Sequence, residues 1–499
     1  MTRLPAMRLT TESAPTAVAA DLAEFVTESP SSFHAADAAR RRLTAAGFTE
    51  LDERAEWDLR PGGRHLVVRD GAIIAWVMPG GAGGAGGSGV GGAGDAAGAG
   101  SAEVPGFAVL GAHTDSPAFK LKPHTDFTVE GNLQVGVEIY GGPLLNSWLD
   151  RELCFAGRLV TVDGAEVLAR TGPIGRIPQL AIHLDRQVND KLALDRQRHV
   201  QPVIGLEALT GGAGEGTGVL GALAASAGVE AADVVAFDVV TIPAQEPARF
   251  GLHEEFLASP RLDNLSSVHA GISALALVEP AGLDSIPLVA AFDHEEVGSE
   301  TRSGASGPFL ADVTERIIAG IVAGAPAGAG PGAGESGPVG ASGADAAGGS
   351  GIREASAPGA GRVREAYLRA LARSVCVSSD AGHAVHPNYP ERHDPVNRPR
   401  LGGGPLLKIN AQQRYATDAV GTARWARACA AAGVHYQEFV SNNAMPCGST
   451  IGPLTATRLG MTTVDAGIAL WSMHSAREMC AVSDVHDLFR VAHAFLSGR

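Results

Sequence analysis

Apolar residues recur along the chain in more than one rhythm, and each rhythm predicts a different element. From Thr16 to Thr27 and from Ser32 to Ala46 they return every three or four positions, predicting amphipathic helices. The second of these opens on a serine-rich cap and carries Arg40, Arg41 and Arg42 on a solvated face. Helical spacing reappears at Leu265 to Val278, Ala411 to Ala432 and Val485 to Leu496. Between these stand short unbroken apolar runs at Phe107 to Leu110, Ile286 to Phe292, Val375 to Val377 and Thr462 to Leu470, each bounded by Gly, Pro or polar residues. Such runs suit strands buried on both faces, and their alternation with helices predicts an α/β fold with helices on either side of a sheet.

A different rhythm fills Phe127 to Thr241, where apolar and polar residues alternate, as in Leu133-Gln134-Val135-Gly136-Val137-Glu138-Ile139, and turn residues are frequent. This predicts an inserted β-rich domain at 125–249, dividing the main domain into 1–124 and 250–499. Inside the insertion, Leu209 to Gly228 is rich in Gly and Ala and reads as a loop or a weak helix.

Two stretches, Gly80 to Ala102 and Ala323 to Gly361, are nearly pure Gly, Ala and Ser. Neither has enough large apolar side chains to offset its ordering entropy, so both are expected to be exposed, mobile loops without chemistry. The first contains Gly87-Ser88-Gly89-Val90-Gly91-Gly92, formally a dinucleotide-binding glycine pattern. No amphipathic helix follows it to receive a pyrophosphate, so the match is read as low-complexity coincidence.

Composition narrows the picture. A chain of 499 residues exceeds what one core usually supports, in keeping with a domain and a large insertion. The formal net charge of -15, without long runs of like charge, argues against nucleic acid or an anionic membrane as partner. The first twenty residues lack an apolar core of the signal-peptide kind, and nowhere does an apolar run reach the roughly 18 residues that span a bilayer. Five scattered cysteines without a C-x-x-C pair indicate neither a disulfide framework nor a thiolate zinc site. A cytoplasmic protein is the expectation.

Candidate chemistry lies where polar residues directly follow apolar runs, which in an open α/β sheet is the carboxyl edge that binds ligands. The sequence offers His113-Thr114-Asp115, Asp263 at the start of a helix, Asp293-His294-Glu295-Glu296, Asp380 after Val375 to Val377, and His474 after Thr462 to Leu470. Taken singly, each has an ordinary reading as a surface histidine, a helix N-cap or an exposed acidic turn. Together, His, Asp, Glu, Asp and His in that order are the oxygen and nitrogen donors that a pair of zinc ions uses. Adjacent glutamates can divide the work, one ligating and its neighbour moving a proton, and Asp115 is placed to hold the second ring nitrogen of His113.

These segments resemble the M18 metallopeptidases, the aspartyl aminopeptidase family, in Gly111 to Pro123, Ser259 to Ser266, Asp293 to Thr301, Ser378 to Tyr389, Lys408 to Asp418 and Cys447 to Pro453. The likeness extends to Ser29 to His34 and His474 to Met479. It implies a zinc-peptidase-type mixed sheet flanked by helices, with a β-rich dimerisation insertion. It also implies two divalent ions, most simply Zn2+, with His113 and Asp380 on one, Glu296 and His474 on the other and Asp263 bridging. Glu295 becomes the general base and Asp115 the orienter of His113. Lys408, with Gly448, Ser449 and Thr450, is implied to meet an acidic first residue of a peptide substrate. His183 is implied to reach a neighbouring subunit's active site within a dimer-based, dodecameric homo-oligomer. A metal-dependent deacylase of N-acyl amino acids, or a catalytically silent assembly protein of the same fold, are the alternatives.

Overall fold

The computed structural model describes residues 9–80, 104–210, 218–324 and 359–499. Its main sheet has nine strands in the order Thr49–Glu50, Arg64–Arg69, Ala72–Val77, Ser285–Phe292, Gly106–His113, Val375–Ser379, Thr462–Gly467, Leu406–Ile409 and Gln437–Val440. The four central strands, Ser285–Phe292 to Thr462–Gly467, run parallel, while Ala72–Val77 and Leu406–Ile409 join them antiparallel, making a mixed sheet. Register does the positioning: Phe292 pairs with His113, and Ser378 pairs with Gly111. Three chain segments therefore leave the sheet at one level, and their next residues meet.

Strand alternation divides the core in two. Leu110, Ala112, Val289 and Ala291 face Leu22, Phe25, Val268 and Phe489 from the helices Pro15–Glu28, Leu262–Ala276 and Val482–Leu496. Phe107, Val109, Ile286 and Leu288 face Phe309, Ile317, Tyr367 and Ile451 on the other side. Gly271 lets the helix Leu262–Ala276 settle onto the sheet, since a Cβ there would stand 2.9 Å from Leu110 Cδ2.

A second sheet has the order Val234–Pro243, Ala118–Val129, Asn132–Tyr140, Val203–Leu206, Gly175–Arg176, Glu152–Thr161, Glu166–Arg170, and Val234–Pro243 also pairs with Glu152–Thr161. The added pairing closes a ring of strands, leaving few unpaired edges. Phe119, Val135, Phe155, Leu159 and Val239 form its own core. Its first strand spans the expected boundary at 124/125, because the alternation already begins at Ala118, only five residues after His113.

Several expected elements change their limits. The helix anticipated from Ala411 begins at Ala419: Asn410 accepts the main-chain N–H groups of Gln412 and Arg414, and Asp418 caps the helix by accepting from Gly421. Thr462 to Leu470 divides into Thr462–Gly467 and Ala469–Leu470, which belong to different sheets. Val219–Ala227 is a helix closed by Gly228 in the left-handed region. Most of both Gly-rich stretches lies outside the described residues, but Ala323, Gly324, Ala360 and Gly361 belong to the helices Phe309–Gly324 and Ala360–Arg373. Among the described residues no helix is long and apolar enough to cross a membrane.

One buried ionic group joins the amino-terminal helices to the helix that follows Asp263. Asp21 is 6% exposed, lies 2.6 Å from His269 Nε2 and accepts from Arg42 Nη1 at 2.9 Å. Burial alone would raise the Asp21 carboxyl, but His269 and Arg42 hold it below its ordinary value. Removing one member of such a group leaves its partners buried without compensation. Asp21→Ala is expected to lower unfolding free energy by about 3 kcal/mol in a denaturant titration, and a loss below about 1 kcal/mol would contradict the assignment.

Candidate metal centre

The polar residues that follow the central strands converge at the carboxyl edge of the sheet. His113 is 1% exposed and ends its strand. Its Nε2 stands 3.4 Å from Asp263 Oδ1 and 3.6 Å from Asp380 Oδ1. The second imidazole mirrors the first: His474 Nε2 lies 3.4 Å from Asp263 Oδ2 and 3.5 Å from Glu296 Oε2. Asp263 thus presents one carboxylate oxygen to each histidine. The distal ring nitrogens are held by peptide carbonyls, His113 Nδ1 at 3.1 Å from Asp115 O and His474 Nδ1 at 3.0 Å from Gly142 O. A carbonyl can only accept, so each Nδ1 carries a proton, and each Nε2 is the nitrogen turned toward the cluster, where a cation would replace any proton it holds.

The donor set fits divalent cations. Potential ligand atoms fall into groups of three, each group within 4.8 Å: His113, Asp263 and Asp380; Asp263, Glu296 and His474; and His113, Glu295 and Glu296. Asp263 Oδ1 and Glu296 Oε1 are buried without a hydrogen-bond partner. Buried acceptors with no donor to satisfy them are costly unless a cation faces them. Mixed imidazole and carboxylate donors are the set zinc accepts.

The acid–base state of these side chains reports the same crowding. Burial pushes Glu295 up to about 7 and Glu296 well above the usual carboxylate range, opposed by His113 and His474 respectively. For His474, burial would lower the imidazole, but Asp263 and Glu296 raise it to about 10. Asp263 has the reverse balance, its burial outweighed by the two histidines, which hold it low.

Further residues hold these side chains in place. Asp115 Oδ1 accepts the Glu295 N–H at 3.0 Å, while its Oδ2 accepts the Glu296 N–H at 3.1 Å and the Tyr140 hydroxyl at 2.8 Å. Its carboxylate is 3.5 Å from His113 Nδ1, farther than its own carbonyl. The side chain expected to orient His113 therefore spends its hydrogen bonds on the glutamate turn, and its main chain is the nearer acceptor for the ring. Asp263 (φ −82°, ψ 102°) and Asn264 (φ −126°, ψ 26°) form a non-helical kink at the head of Leu262–Ala276, ahead of its regular turns. Glu478, 1% exposed, accepts main-chain N–H groups of both Asp263 and His474.

Beside the cluster opens a cleft of about 340 Å³ lined by Lys408, Gly448, Ser449, Thr450, His383 and Phe439 together with Glu295 and Asp380. Lys408 is 1% exposed, donating from Nζ to Asp380 Oδ2 at 3.2 Å and Ala381 O at 2.7 Å, with the Tyr415 ring centroid 5.2 Å away. Thr450 caps the helix Ile451–Leu459 and donates to Asp465. His183 stands exposed on an irregular segment of the second sheet and lines neither this cleft nor the cavity of about 300 Å³ between the two sheets. Sequence reasoning missed Tyr140, the Gly142 carbonyl and the function of Glu478. Only Glu478, four residues after His474, carried a local signal.

A parallel-centred α/β sheet that brings histidines and carboxylates from separate strand ends into one buried cluster defines a metal-dependent hydrolase. Residues 25–326 and 333–496 match the family model for aminopeptidase I zinc metalloproteases (M18), and the chain belongs to that family of metalloaminopeptidases, which release amino-terminal residues. A probable M18 family aminopeptidase 2 of Streptomyces avermitilis is 46% identical over 482 residues, covering 96% of this chain and 97% of the relative. Its counterpart from Mycobacterium tuberculosis H37Rv is 40% identical over 494 residues, covering 96% and 98%. Among solved structures, the Ape4 and Nbr1 complex matches with a TM-score of 0.81 at 31% identity, over 99% of this chain and 88% of that one. The Saccharomyces cerevisiae mApe1 dodecamer matches with a TM-score of 0.72 at 25% identity, over 96% of each chain.

Gly141 marks how closely the second sheet approaches the cluster. Its φ is +68°, and a Cβ there would meet Glu296 Cβ at 3.0 Å. Gly141→Ala should lower unfolding free energy by about 1–2 kcal/mol, the cost of a non-glycine residue in the left-handed region. Calorimetry checks it, and an unchanged or stabilised variant would contradict this packing.

Proposed function

We propose that the protein releases the first residue of peptides, favouring Asp and Glu, using two zinc ions and Glu295 as general base. The supporting observation is that the two oxygens of Asp263 each face a different imidazole, His113 with Asp380 on one side and His474 with Glu296 on the other. The first three would hold one ion and Asp263, Glu296 and His474 the second. Bound there, the ions supply Lewis acidity that polarises the scissile carbonyl and acidifies water.

The remaining work falls to the chain. Glu295 Oε2 lies 3.9 Å from His113 Nε2, at the edge of the ligand set, and burial pushes its carboxyl up to about 7. A carboxyl so poised takes a proton from the attacking water and returns it to the leaving amine. The Asp115 clamp on the Glu295 and Glu296 main chain keeps base and ligand apart in their tasks. Gly448, Ser449 and Thr450 line the cleft and give the substrate main chain polar partners.

Acidic preference rests on Lys408. An ammonium has three donors, and two are engaged by Asp380 and Ala381, leaving one for a carboxylate in the cleft. Such a charge-assisted bond favours Asp or Glu over neutral residues by about 1.5–3 kcal/mol.

The same reading assigns 125–249 as an inserted dimerisation domain and the assembly as a dimer-based, dodecameric homo-oligomer. Leu180, Ile182 and Leu184, exposed beside His183, support a subunit contact there, through which His183 would act on a neighbouring site. Cytoplasmic residence is supported by five free cysteines, four of them buried.

Glu295→Gln should keep its metal while turnover falls by about 10²–10⁴; near-normal turnover removes the base assignment. Lys408→Met should depress cleavage of Asp- and Glu-initiated peptides by about tenfold or more relative to neutral ones, with metal content measured alongside because Lys408 also touches Asp380. An equal fall for both classes makes Lys408 a support of Asp380, and no change removes the acidic pocket. Hydrolysis of N-acetyl amino acids in place of peptides would turn the reading to a deacylase.

A further inference from the structure

Glu478 belongs to the strand Glu478–Ala481, which pairs with Phe256–Ser259 and sets Glu478 opposite Ser259, shortly before Asp263 in the chain. Its Oε2 accepts the Asp263 N–H at 3.0 Å and its Oε1 accepts the His474 N–H at 2.7 Å. Both partners are donors, so both oxygens must accept. Only a carboxylate offers two acceptors and no donor in that fork, and an amide of the same shape would turn an NH2 group toward one of the two N–H groups.

What the fork joins is specific. Asp263 and His474 are two of the three side chains that surround one of the two proposed ion sites, and they reach it from different elements. Their main chains are otherwise awkward to hold. His474 has φ +65°, a conformation that side-chain-bearing residues rarely adopt, and Arg261 just before Leu262 has φ +59°. The His474 carbonyl accepts from Leu144 N at 2.8 Å, so its peptide is fixed from both sides, by the second sheet and by Glu478. Glu478 does not line the cleft beside Lys408; it faces the cavity between the two sheets. It therefore stands outside the cleft beside Lys408, in a cavity that Asp263 and His474 also line.

We propose that Glu478 is a positioning residue that fixes the separation of Asp263 and His474, and so selectively maintains the ion site formed by Asp263, Glu296 and His474. The inference rests on the two-ion reading. It predicts unequal damage: Asp263 belongs to both sites and loses one tether, but His113 and Asp380, the other members of the first, take their positions from the central strands, whereas the second site loses the tether on His474 as well.

The test is a titration of the metal-free full-length chain with Zn2+ against a chromophoric chelator, for wild type and Glu478→Gln, with bound zinc counted after dialysis. Wild type is expected to take two ions. The variant should bind the ion beside His474 about tenfold to hundredfold more weakly, the usual effect of removing a residue that supports a ligand from behind, and the ion beside His113 with a clearly smaller loss. Two ions at unchanged affinity, or both ions weakened alike, would overturn the proposal while leaving the two-ion reading intact. A wild type that takes only one ion removes the two-ion reading itself, and the selective role of Glu478 with it. If the Gln variant does not accumulate as folded protein, Glu478→Asp, which keeps two acceptors on a shorter stem, is judged by the same criterion.

Discussion

Asp263, Glu295, Glu296 and Asp380 are gathered with two imidazoles in a site largely closed to water, and like charges so placed repel strongly. Everything nearby answers that repulsion. Lys408 neutralises part of it at Asp380, and the histidines offset part at Asp263. Yet Asp263 Oδ1 and Glu296 Oε1 remain without a hydrogen bond, and Glu296 is pushed far above its ordinary value. A cluster left in that condition is a poor structural element and a good cation trap. Its zinc-family membership and its electrostatics describe the same fact from two directions.

The second physical theme is the use of carboxylates as main-chain clamps. Asp115 holds the Glu295 and Glu296 N–H groups, Glu478 those of Asp263 and His474, and Asp484 those of Gly402 and Gly404. Each joins segments or fixes a turn that regular secondary structure does not reach. Such bonds to a charged acceptor are about twice as strong as neutral ones, and they hold irregular backbone without a long hydrophobic contact. The edge of the sheet that carries the cluster can thus be built from loops and still be rigid. The second sheet contributes to the same end: Tyr140, Gly141 and Gly142 press against Asp115, Glu296 and His474 in turn. A change in that sheet's position would be felt at the cluster.

Much of this was legible in the sequence. The buried strands announced themselves as apolar runs, and parallel register then made it inevitable that residues just past Phe292, Ala112 and Ser379 would share one edge. That brings His113, Glu296 and Asp380 together, while Asp263, past Phe256–Ser259, and His474, past Ala469–Leu470, join them from strands of smaller sheets. Other features were hidden for physical reasons. Asp115 is legible as the neighbour of His113, 3.5 Å from its Nδ1, but its further bonds to Tyr140 and to a turn 180 residues away are not. Gly142 acts through a carbonyl, which no side-chain pattern reveals. The helix start at Ala419 was masked because residues 411–418 share the helix's composition, and only the capping bonds of Asn410 and Asp418 end the ambiguity.

The central claim is that Asp263 sits between two cations. Crystals of the zinc-loaded protein, measured on both sides of the zinc absorption edge, test it most directly. The account predicts two anomalous peaks, one bordered by His113, Asp263 and Asp380 and one by Asp263, Glu296 and His474. A single peak, or zinc bound away from Asp263, would contradict it.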